Sequence, residues 1–156
     1  MKVAPQVSGT LKRELLIIAK AISKEIESKG MRTTGQAQAS LRVQVVQEGN
    51  VLVGRIWGEQ YIGALEYGRK PGKMPPVSML EEWVINKGLA SGDDARSMAW
   101  AIAIKIAREG TSWLQKAPTG VLSNWINEEV YREIGNAVFG VIADDLKSEV
   151  VREFSS

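Results

Sequence analysis

The stretch from Tyr61 to Trp83, reading YIGALEYGRKPGKMPPVSMLEEW, constrains the fold more than any other part of this chain. Tyr61, Ala64, Leu65 and Tyr67 ahead of Gly68 predict one short helical turn closed by glycine, which enters a left-handed cap without a Cβ penalty. From Arg69 to Pro76 there is no hydrophobic period, and the Pro-Gly and Pro-Pro pairs predict an exposed, partly extended loop. Ser78 with Glu81 fits a capping box, so a helix is expected from about Ser78 to Lys87, with Leu80, Trp83 and Val84 on its buried face. The loop is thereby pinned at both ends, while Arg69, Lys70 and Lys73 give its centre three cations. Tyr61, Tyr67 and Trp83 read as core anchors.

On the amino-terminal side, residues 1–9 read as a leader without settled structure. Leu11, Leu15, Ile18, Ala19, Ile22 and Ile26 then recur at three and four residues, which predicts an amphipathic helix over about Thr10 to Ser28, closed by Gly30. Its charged face reads as solvated, with helix-supporting ion pairs. After the small, polar run TTGQAQAS, the alternation of Leu41, Val43 and Val45 with Arg42 and Gln44 predicts a half-buried strand. Glu48, Gly49 and Asn50 make the turn. Val51 to Trp57 return, with Val51, Val53, Arg55 and Trp57 on one face and Leu52, Gly54 and Ile56 on the other. A lone hairpin is marginal, so it must lie on helices or join a larger sheet, whose other strands another subunit could supply.

On the carboxyl-terminal side, GLASGDD ends one helix and caps the next. Ala95, Met98, Ala99, Ile102 and Ile106 define that next helix, which stops at Gly110. Thr111 to Val121 form a second loop containing Trp113 and Pro118. Ser123 is expected to cap a last long helix with apolar positions at Ile126, Val130, Ile134, Ala137, Val141, Leu146, Val150 and Phe154. Gly135 and Gly140 each weaken that helix by about 1 kcal/mol relative to alanine, which predicts close packing or a bend there. Val141, Leu146, Val150 and Phe154 are the candidate interface positions. The predicted class is α+β: a helix-rich single domain over 1–156 with a small antiparallel hairpin and a long C-terminal helix.

Composition narrows the chemistry. The 156 residues contain no cysteine and no histidine, which removes disulfides, thiol nucleophiles, imidazole bases and the commonest zinc ligands. The adjacent acid pairs Glu81–Glu82, Asp93–Asp94, Glu128–Glu129 and Asp144–Asp145 diverge by about 100° on a helix and cannot face one site. GRKPGK lacks the spacing and the Ser or Thr of a nucleotide-binding loop. No catalytic residue, cofactor or metal site is therefore expected. Twenty basic against eighteen acidic residues leave a net charge of +2, so any polyanion binding must be local. No signal-peptide pattern and no run of roughly 18 apolar residues is present, so a soluble protein made in the cytoplasm, without membrane partners, is expected.

Thr34, Gly35, Ser40 and Leu41 before the first strand, followed by Tyr61, Glu66, Tyr67 and Gly68 and a proline-bearing loop, resemble the tail-completion or head-tail joining proteins of tailed bacteriophages. Ala37 stands where that family usually has leucine. The resemblance covers about residues 10–90 and leaves a helical extension, about 91–156, outside it. It implies a virion protein that forms a neck ring, on the order of six or twelve copies, around the DNA channel where head meets tail. Its implied partners are further copies of itself and the portal-side and tail-side neck proteins. The Arg69, Lys70, Lys73, Met74 and Pro75 loop would then reach the next ring or face the channel, with non-specific contact to DNA. The rival reading is a small nucleic-acid-binding regulator using Arg69 to Lys73, although neither a recognition helix nor stacking aromatics accompany those cations.

Overall fold

A computed structural model describes residues 3–31, 35–112 and 116–154. Among these residues six α-helices and one two-stranded antiparallel sheet follow in the order α1 (Val3–Ser28), α2 (Gln36–Ser40), β1 (Arg42–Glu48), β2 (Val51–Trp57), α3 (Ile62–Tyr67), α4 (Val77–Asn86), α5 (Gly92–Glu109) and α6 (Glu128–Phe154). The class is α+β and helix-rich, as the sequence predicts. Thr34 and Trp113 lie outside the described residues.

Helix α1 is the spine. Leu15, Ile18, Ala19, Ile22 and Ile26 are buried along one side, and the hairpin and α6 both pack on this helix. It begins at Val3, so residues 3–9 of the expected leader are helical. Pro5 lies in the first turn, where its missing N–H would have no intrahelical acceptor. The core centres on Ile18, Ile22, Ile26, Ala37, Ile62 and Val121, with Leu65, Trp125, Val130 and Ile134 packed around it.

The hairpin follows from alternation and a two-residue turn. Glu48 pairs with Val51, so the turn is Gly49-Asn50 and Glu48 belongs to the strand rather than to the turn. Gly49 has a φ of 61°, a left-handed value that L side chains resist. Val43, Val45, Leu52, Gly54 and Ile56 share the face toward α1, which therefore does the work expected of a larger sheet. Trp57 lies on the outer face, 55% exposed, and its Nε1 donates to Gln44 Oε1 at 3.2 Å.

Helices α4 and α5 pack as a pair, burying Val84 on one and Ala95, Ala99 and Ala103 on the other. The alanines, four residues apart, make a flat seam on which a neighbour can sit closely. Met98, expected inside, falls off that seam and is 38% exposed. The Ser78–Glu81 capping box does not form: Pro76 is the N-cap residue, with no side-chain cap bond, and Ser78 already lies inside the helix. The last helix also starts later than expected, because Asn127 rather than Ser123 caps it, with Oδ1 accepting the Val130 amide at 3.0 Å. A methyl group at Gly135 or Gly140 would meet nothing, so close packing within the chain does not explain those glycines.

Gly54, by contrast, is closely packed: an added Cβ would lie 2.5 Å from Leu15 Cδ1 and 3.3 Å from Leu11. At an open strand position, Gly→Val would gain stability. Here Gly54→Val should cost about 1–3 kcal/mol through overpacking against α1, read as a lowered urea midpoint at unchanged m-value.

Candidate functional site: a clasped cationic loop

The predicted loop is held more firmly than its composition suggests. Gly68, with a φ of 73°, ends α3 and turns the chain. Arg69 then makes a reciprocal pair with Thr111: its amide donates to Thr111 Oγ1 at 2.9 Å, and its carbonyl accepts the Thr111 amide at 3.0 Å. Farther along, the Gly72 amide donates to the Ala107 carbonyl at 2.8 Å. Ala107 is in the last turn of α5, whose carbonyls otherwise lack intrahelical donors. The loop thus caps α5 and brings cations to its negative end.

Each predicted loop residue has a definite place. Lys70 and Lys73 are exposed, Arg69 is half-buried and Met74 is 41% exposed. Pro75 is buried, which removes it from the candidate contacts: it anchors the loop beside α4 rather than reaching outward. Among the described residues neither Lys70 nor Lys73 takes part in an ion pair. Of the expected core aromatics, Tyr61 and Trp83 are half-buried, whereas Tyr67 is 58% exposed because it falls on the outer side of the short α3.

What orients the loop was not predicted. Glu66, fully buried in α3, receives the amides of Leu122 at 2.8 Å and Ser123 at 3.3 Å. Thr119 adds its hydroxyl to the Leu65 carbonyl at 2.9 Å and its amide to the Glu66 carbonyl at 2.9 Å. Burial alone would raise the carboxyl's pKa. Hydrogen bonds from the Ser123 side chain and from the Leu122, Ser123 and Gly120 amides outweigh that and hold it below the ordinary value of 4.5. The carboxylate is therefore an anion solvated by backbone, clasping the segment that leads into α6. A lone acid inside the apolar run IGALEY was the available sequence signal, since an unpaired charge is seldom placed there without partners.

The candidate interface helix divides along its length. Val141 is half-buried on the α1 side. Leu146, Val150 and Phe154 are 45%, 54% and 89% exposed. No residue of α6 is fully buried. Among the described residues no group of three or more His, Cys, Asp or Glu side chains could hold a metal, and no helix is long and apolar enough to cross a membrane. Comparison with protein-family models, curated proteins and solved structures gives no match.

Because the Glu66 carboxyl titrates lower in the folded than in the unfolded chain, the clasp contributes fully above about pH 4.5 and is lost as pH falls through the folded value. Glu66→Gln should lose about 2–3 kcal/mol near neutral pH, since two amides are left facing a group that is partly a donor. Denaturant titrations at pH 7 and pH 4 should show the gap between parent and variant shrinking at the lower pH.

Proposed function

We propose that this chain is a structural subunit of a tailed-bacteriophage neck, assembling as a ring around the DNA channel at the head-tail junction. The observation that carries this reading is α6: a 27-residue helix that buries none of its own residues completely while exposing Phe139, Leu146, Val150 and Phe154. Apolar surface of that extent on one helix calls for cover by another molecule. The hairpin adds to this, because among the described residues no third strand pairs with either outer edge of its sheet. The pinned loop supplies a rigid cationic feature that a ring would repeat once per copy, available to pair with an acidic surface of the neighbouring copy or with DNA. Further copies of itself and the portal-side and tail-side neck proteins are the partners this reading names. It rests further on the sequence resemblance carried by Thr34, Gly35, Ser40, Leu41, Tyr61, Glu66, Tyr67 and Gly68.

Light scattering on the purified protein over a concentration series tests the ring. One discrete closed species of on the order of six or twelve copies is expected, and a monomer throughout would contradict self-assembly. Reversing the three loop charges (R69E, K70E, K73E) should leave the circular dichroism spectrum unchanged while lowering the yield of joined particles at least about tenfold. A normal yield would remove the loop from the joining reaction.

A further inference from the structure

The two ends of this molecule carry opposite charge on surfaces that the same chain cannot bring together. Between Gly68 and Pro76 there are three cations and no acid. Between Asp144 and Phe154 there are four carboxylates, Asp144, Asp145, Glu149 and Glu153, against Lys147 and Arg152. Acids gain nothing from the C-terminal half of their own helix, whose dipole is negative there.

Geometry separates these surfaces. The loop begins three residues after Glu66, whose carboxylate holds Leu122 and Ser123, so it is anchored where the chain enters α6. Helix α6 then runs 27 residues, about 40 Å at 1.5 Å per residue, along α1. Gln6 shares a shallow depression with Val141, Asp144, Asp145 and Ser148, so the far end of α6 lies beside the start of α1. The acidic end therefore lies a helix length away from the loop of its own chain.

Its faces are also sorted. Half-buried Ile134, Val138, Val141 and Ile142 mark the side toward α1. Leu146, Val150 and Phe154 follow one another at four-residue steps on the opposite side, with Glu149 and Glu153 along one border of that stripe. The loop offers the complement: Lys70 and Lys73, neither in an ion pair among the described residues, beside exposed Met74.

We infer that the free end of α6 in one copy docks on the cationic loop of the next copy, head to tail, with Glu149 and Glu153 meeting Lys70 and Lys73 and with Val150 and Phe154 covering Met74. The occupant of each loop is a second copy of this chain. Repetition of one head-to-tail contact generates a closed ring when its rotation closes. This rests on the ring reading above and adds to it which surfaces meet.

A charge swap tests the contact. K70E/K73E alone sets acid against acid, and E149K/E153K alone sets base against base. Each should raise the concentration needed for assembly at least about tenfold, read by light scattering, with an unchanged circular dichroism spectrum. The quadruple variant K70E/K73E/E149K/E153K should recover assembly, and an equimolar mixture of the two double variants should recover it by alternation. If the unaltered protein forms a discrete oligomer and both double variants assemble like it, the contact lies elsewhere and the ring reading stands. Failure of both the quadruple variant and the mixture to assemble would overturn the pairing of these two surfaces. If the unaltered protein stays monomeric, self-assembly and this contact fall together.

Discussion

A carboxylate taken out of water with no ion pair is among the costlier things a small protein can contain, and among the described residues Glu66 is one. It is tolerable because backbone amides replace the lost water. Leu122 and Ser123 turn their N–H groups onto its two oxygens, with Thr119 completing the contact. The same bonds satisfy amides that would otherwise be stranded in a half-buried turn. Neither side of the exchange is stable alone, which makes it a joint rather than an ornament.

Three parts of the molecule depend on that joint. Residues 119–123 are drawn against α3, which seats Val121 in the core beside Ile26 and Ile62. The direction in which the chain enters α6 is thereby fixed, and α6 is laid along α1. On the other side of Glu66 the chain leaves α3 through Gly68 into the cationic loop, whose Arg69 is tied to Thr111. One side chain thus relates the position of the loop to the start of the long helix, the two features on which the assembly reading rests. Additional anchoring comes from Lys87, whose Nζ donates to the Gly30 carbonyl at 3.1 Å and ties the end of α4 to the end of α1.

Much of this was legible along the chain, for reasons that differ by element. Strand β2 was readable to its end residues because alternation and a glycine turn are local signals, and α5 was readable to Gly110 because a positive-φ glycine stops a helix by itself. The start of α1 was hidden because Pro5 and Gly9 look like breakers although the first turn tolerates the proline. Ser78 and Ser123 both carry cap chemistry, yet Pro76 and Asn127 hold the cap positions, since tertiary anchoring of the preceding loop decides where each helix begins. Pro75 and Tyr67 were misplaced relative to the surface for a related reason. A residue in a short loop or a six-residue helix has no periodicity long enough to assign it a face. The Glu66 clasp was the least legible feature, because its partners are amides 56 and 57 positions away and backbone leaves no mark on composition.

The most direct measurement is a titration of the Glu66 side-chain carboxyl by carbon-detected nuclear magnetic resonance, followed together with the Leu122 and Ser123 amides. The clasp predicts a carboxyl midpoint below 4.5, with both amide resonances moving in step with it. A midpoint above 4.5, or amides indifferent to the carboxyl's titration, would mean that the buried group is held neutral and that something else joins α3 to the entry of α6.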